Sequence, residues 1–163
     1  MPVLRMLALF STLVLVGCSE TPSPDTTNLR QEDVLTATES FRDFGDYTVH
    51  FNAIVTDQLT ADIARQYGIA RSANRAMLNV SIIDNSAANG RTSLAAAVNA
   101  TATNLSGQLR NLAMREIREN EAIYYIGETQ IANAETLIFS ITVRPEGAAR
   151  SETLRYMQQF FVD

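Results

Sequence analysis

Apolar and polar side chains alternate along several stretches of this chain, most cleanly between Tyr47 and Val55. The odd positions there are Tyr, Val, Phe, Ala and Val, while among the even ones (Thr48, His50, Asn52, Ile54) only Ile54 is apolar. Successive side chains of a strand point to opposite faces, so this spacing predicts a half-buried strand. Leu137, Phe139, Ile141 and Val143 repeat the pattern against Ile138, Ser140 and Thr142. Ala76–Ile83, the Tyr- and Ile-rich Ile123–Ile131 and Leu154–Val162 read as further strands. Leu94–Thr103 and Leu109–Arg118 bring the set to about seven. Ala95-Ala96-Ala97 favours helix, but the Val-Asn-Ala-Thr-Ala-Thr behind it suits a strand better.

One segment departs from this rhythm. Thr60-Ala-Asp-Ile-Ala-Arg-Gln-Tyr67-Gly68 offers an N-cap, apolar Ile63 and Tyr67 four apart, and a glycine stop, which together predict one short helix near residues 60–67. Asp84–Gly90 reads as a loop with an Asn-Gly turn signal, and Ser106-Gly107 as a turn. Short strands with one helix predict an all-β fold, an antiparallel two-sheet sandwich of immunoglobulin-like architecture. No internal repeat is present.

The N-terminus follows different rules. Arg5, the apolar run Met6–Val16 and then Gly17-Cys18 have the make-up of a signal peptide over residues 1–17, too short to span a bilayer. Leu15-Val16-Gly17-Cys18 resembles the bacterial lipobox, and the resemblance implies a lipidated Cys18 that tethers the protein to a membrane. Ser19 in place of an inner-membrane retention Asp implies the periplasmic face of the outer membrane. Residues 18–43 begin polar and Pro-containing and read as a flexible acidic linker, leaving 44–163 as one domain.

Charge narrows the partners. Residues 19–43 carry six acidic side chains and two arginines, net −4, whereas 44–163 is nearly neutral at −2. Nucleic-acid binding is excluded as an expectation, because phosphate contacts need a cationic surplus. All 13 basic side chains are arginine. With one Cys and one His in the chain, Cys-based zinc sites and a Cys-His nucleophile pair have no basis. No catalytic residue, metal site or cofactor is expected.

The residues that could carry binding chemistry are few. His50 shares strand parity with Asp46 and Thr48, on the more polar face. Met77, Met114 and Met157 could join it in a soft metal site, but no two have local ligand spacing, and core methionine is the common case. Arg71 and Arg75 flank Ser72-Ala-Asn74 and could clamp an anion. Glu116, Glu119 and Glu121 beside Arg115 and Arg118 read as a solvated strand end. Tyr124-Tyr125 and Phe160-Phe161 are adjacent aromatic pairs, so each should send one ring outward, where interaction surfaces use aromatics.

The runs Phe44-Gly-Asp-Tyr-Thr-Val-His-Phe-Asn-Ala53, Tyr67-Gly-Ile-Ala-Arg-Ser-Ala-Asn-Arg-Ala-Met-Leu-Asn-Val80, Ala122-Ile-Tyr-Tyr-Ile126 and Tyr156-Met-Gln-Gln-Phe-Phe-Val-Asp163 resemble the proteobacterial domain of unknown function family 4426. That resemblance implies an exported, small, mostly β domain and carries no activity with it. The expected function is therefore a non-catalytic, lipid-anchored interaction or scaffold module with an envelope protein as partner. The rival expectation is a small-ligand or metal-binding domain built on His50, the methionines or the Arg71/Arg75 loop.

Overall fold

The computed structural model describes residues 34–86 and 92–162, so the signal peptide expected over 1–17, Cys18 and residues 19–33 of the expected linker lie outside the described residues. Eleven strands occur among these residues: β1 (Val34–Leu35), β2 (Phe41–Asp43), β3 (Tyr47–Val55), β4 (Arg75–Asp84), β5 (Thr92–Ser93), β6 (Ala96–Asn104), β7 (Leu109–Leu112), β8 (Arg115–Glu119), β9 (Ala122–Gln130), β10 (Glu135–Pro145) and β11 (Glu152–Phe160). One helix, α1 (Ala61–Gln66), sits between β3 and β4 behind a single 3-10 turn, Thr56–Gln58. No helix among the described residues is long and apolar enough to cross a membrane.

The strands form two sheets stacked as a sandwich. The first runs β1-β11-β10-β6-β7, and the second β2-β3-β4-β9-β8, with β5 also paired to β4. All pairings are antiparallel except that of β1 with β11. Period-2 alternation fixes the packing: Val49, Phe51 and Val55 of β3 face Phe139, Ile141, Leu154 and Tyr156 across the interior. Phe139, Leu78, Ile82, Leu137 and Ile141 are fully buried there.

The chain changes sheets at both sides of the sandwich. On one side β1 borders the first sheet and β2 the second, joined through a turn in which Glu39 N–H donates to Thr36 O (2.9 Å). The linker expected through residue 43 is thus shorter, because Val34–Leu35 and Phe41–Asp43 already pair with the sheets and Leu35 is buried. Strands of two and three residues in polar sequence have no period to detect. On the other side, the single strand expected over 109–118 is two: β7 pairs with β6, and β8 with β9. A Cβ on Gly127 of β9 would lie 2.5 Å from Met114 Sδ and 3.1 Å from Leu112 Cβ, so glycine leaves the room in which this corner turns. Crossing over at both edges keeps the exposed edge strands short, which limits edge-to-edge pairing.

Candidate interaction site

The insert between β3 and β4 builds the site. Thr60 Oγ1 accepts the Ile63 N–H (3.3 Å) and starts α1. At the other end Gly68 (φ +62°) donates to Arg65 O and Ile69 donates to Ala64 O (2.8 Å). This 6→1 and 5→2 pair is a Schellman stop, which needs the left-handed residue that glycine supplies, and it turns apolar Ile69 back under the helix. Thr56, fully buried, ties the two ends of the insert together. Its Oγ1 accepts the Ser72 N–H (3.0 Å) and lies 2.9 Å from Ala70 O and 3.2 Å from Ser72 O, to which the hydroxyl can donate.

Folded this way, the insert covers part of the outer face of the second sheet. Ala64 and Ile69 pack on Met77 of β4 and Ile126 of β9, with Ile54, Leu59, Tyr67 and Ile117 around them. This second apolar cluster lies on the far side of the sheet from the main core. Its filling is incomplete. A cleft of about 190 Å³ remains between α1 and the sheet, lined by Leu59, Ile63, Tyr67, Ile69, Met77, Asn79, Ile117, Glu119, Tyr124 and Ile126.

Polar groups close one side of the cleft. Gln66 Nε2 donates to Glu119 Oε1 (2.9 Å), and the hydrogen bond between the Tyr67 hydroxyl and Glu119 raises the Tyr67 pKa. An Arg115 guanidinium N–H donates to Tyr67 O, so β8 holds the C-terminal end of α1 from two positions. The cleft is therefore an apolar floor with a tyrosine wall and one carboxylate at its rim. Such a surface can take an apolar group and orient a donor beside it.

The residues singled out in the sequence scatter. Tyr124 is the outward member of its pair and lines the cleft. Tyr125 points inward and is only 4% exposed, so its expected role as a contact is corrected to a structural one. Its hydroxyl accepts the Ala96 N–H (2.7 Å) from the opposite sheet and donates to Glu116 Oε2 (3.1 Å). The Arg118 guanidinium together with that hydroxyl holds the Glu116 carboxyl below the usual carboxylate range. Burial, followed by the interaction with Glu116, raises the Tyr125 phenol against the opposing Ala96 bond.

His50 lies on the same outer face as the cleft but two strands away from β9, its ring tilted at 39° to that of Phe41 of β2 with centroids 5.8 Å apart, and close to Asp43, Thr48 and Asn85. Arg71 and Arg75 do not form a clamp. Arg71 Nη2 donates to Asp57 O (2.7 Å), and Arg75 pairs with Glu128 (3.3 Å) on the neighbouring strand. The methionines also diverge: Met77 floors the cleft, Met114 packs against the main core, and Met157 sits on β11 opposite Ile138. No group of three or more His, Cys, Asp or Glu side chains gathers around a metal position among the described residues.

Ile117 and Ile126 have no place among the site residues read from the sequence, and Met77 enters there only as a soft metal ligand. Their signal was an apolar residue at a position whose strand parity faces away from the core, as in Ala76-Met77-Leu78 and Tyr125-Ile126. An unbroken apolar run marks a strand covered on both faces.

The crystal structure of a DUF4426 family protein from Pseudomonas aeruginosa PAO1 shares this fold at a TM-score of 0.65 and 29% identity, covering 76% of this chain and 94% of that one. A family 123 glycoside hydrolase from Clostridium perfringens aligns at 12% identity and a TM-score of 0.38 over 69% of this chain and 27% of its own, a likeness too low to carry argument. None of the curated proteins matches. The model of the domain of unknown function DUF4426 matches residues 41–163, the whole of the sandwich beyond β1, and the chain belongs to that family.

Proposed function

We propose that this protein is a lipid-anchored module of the cell envelope that holds a partner protein through the cleft beneath α1, without catalysing a reaction. The occupant is an apolar side chain of the partner, aliphatic or aromatic, with a hydrogen-bond donor beside it. One observation carries this reading: the cleft's volume of about 190 Å³. That is below the roughly 300–1,000 Å³ of sites for drug-sized ligands, and suits one or two side chains. Tyr124 and Tyr67 supply the rigid aromatic contacts that interfaces favour, and Glu119 supplies an acceptor at the rim. Cys18, with its lipobox-like surroundings, supports attachment to the membrane, and Ser19 supports the outer-membrane face of the periplasm.

The test is photo-crosslinking in living cells. A photoreactive phenylalanine analogue at position 124 is expected to capture an envelope protein through a peptide containing an apolar side chain. The same analogue at Thr101, on the outer face of the other sheet, should not capture it. Equal adducts at both positions, or none at 124, would refute the cleft as the docking site.

A further inference from the structure

The two ends of the sandwich differ in chemistry. At the end where β3, β9 and β11 begin, the turns carry Asp43, Asp46, Asp84, Glu121, Glu146 and Glu152, more acids than the neighbouring arginines balance. At the opposite end, the β6–β7 loop (104–109), the β9–β10 turn (131–134) and Phe161-Val162 contain no charged side chain. The acidic Asp163 that follows lies outside the described residues. This second end shows three large apolar side chains to solvent: Leu105 is 74% exposed, Leu109 61% and Phe161 64%.

Register places the three together. Leu105 follows Asn104, which pairs with Leu137 near the start of β10, and Leu109 pairs with Thr103 beside it. Phe161 follows Phe160, which pairs with Glu135, the first residue of β10. Two carboxylates beside this rim are paired with arginines: Glu135 with Arg110 (2.6 Å) and Glu128 with Arg75 (3.3 Å). Arg71 and Arg75 stand on the adjoining loop, whose Ser72 and Asn74 share a surface depression with Ala132, Asn133 and Val162.

We infer that this end is a membrane-contacting rim that lays Leu105, Leu109 and Phe161 into the headgroup–acyl boundary of the bilayer. The inference rests on the anchor reading of Cys18 for its lipid tether. Residues 19–33 separate that cysteine from β1, and 15 residues reach at most about 50 Å when extended. A nine-residue strand such as β11 spans about 30 Å. The tether therefore allows either end to meet the membrane, and the chemistry of the ends selects. The acidic end is repelled by anionic headgroups, while the apolar end, whose loops and turn carry no charged side chain and whose neighbouring Arg75 is balanced by Glu128, is not. Tethering keeps the body at high local concentration near the bilayer, so three side chains suffice for a contact too weak to hold a free protein.

The experiment uses the mature chain purified from cells, spin-labelled at Leu105→Cys, Leu109→Cys, Phe161→Cys or, in the acidic-end turn, Ala149→Cys. Each is bound to vesicles of phosphatidylethanolamine and phosphatidylglycerol. The ratio of oxygen to nickel-complex accessibility is expected to be at least fivefold higher at 105, 109 and 161 than at 149. Adding Leu105→Asp with Leu109→Asp should bring the ratio at 161 down to that at 149. Equal, water-like ratios at all four positions would overturn the rim. The mass of the purified chain reports acylation separately. An unacylated chain, tested at higher vesicle concentration, must still show the same ordering of positions, so a wrong anchor and a wrong rim give different results. Neither outcome bears on the cleft, whose test is capture of a protein.

Discussion

Thr56 shows how one hydroxyl can hold a functional segment in place. It stands at the junction of β3 and the helical insert, fully buried, and bonds the backbone where the insert returns at Ala70 and Ser72. Thr56→Val keeps the shape but leaves a buried N–H and carbonyl unpaired. We predict a loss of about 1–3 kcal/mol in urea unfolding, with the cleft residues Leu59 and Ile69 showing the largest NMR shift changes. An unchanged midpoint would mean that the insert is held by its apolar contacts alone. Nothing in the sequence around Thr56 distinguished it from other threonines, because its partners lie 14 and 16 residues away.

At the scale of elements, legibility followed periodicity. The long strands β3, β4, β9 and β10 and the helix α1 lie close to where alternation, the Thr60 cap and the Gly68 stop placed them. The two- and three-residue strands β1, β2 and β5 carry no period to read, and the change of sheet at Ala113-Met114 that divides the strand expected over 109–118 is invisible because a corner depends on what lies opposite, here Gly127. Tyr124 could be read as a site residue, since adjacency alone sends one ring outward, but which of the two tyrosines faces out depends on register. β11 shows the same division. Leu154, Tyr156 and Phe160 enter the core, while the strand ends at Phe160 and leaves Phe161 exposed. Burying those three contributes about 5–9 kcal/mol by area, against about 5–15 kcal/mol for a whole domain. Deletion of 154–163 is therefore expected to give insoluble or unfolded chain. Deletion of 19–33, which precedes β1, should leave a cooperative melt by circular dichroism. A soluble, cooperatively melting C-terminal deletion would contradict this packing.

For the molecule as a whole, stability should hold over a broad range of pH and fall on both sides. Burial would raise the Glu135 carboxyl, but Arg110, the Ala132 N–H and Asn104 together hold it below the usual carboxylate range. A depressed carboxyl stabilises the fold above its unfolded pKa, about 4.3, and that contribution is lost as pH falls through the folded value. Tyr156 and Tyr47 are raised, chiefly by burial. A raised phenol stabilises the fold below about pH 10 and loses that contribution as pH rises through its folded value. Scanning calorimetry should show Tm falling below about pH 4.3 and above about pH 10, with Glu135→Gln lowering the plateau and flattening the acid limb. An acid limb unchanged by that substitution would remove Glu135 from the account.

The docking role of the cleft rests on its being a partly empty apolar space between α1 and the second sheet. Asn79 lines it from the middle of β4, opposite Asn52 and Ile126. Asn79→Phe would fill the space from within while leaving the main core untouched. The most direct measurement is the yield of photo-adduct from position 124 in cells carrying the chain with and without Asn79→Phe, normalised to folded protein. The account predicts an undiminished melting temperature and an adduct reduced at least fivefold by the filled cleft; equal adduct from a folded variant would contradict it.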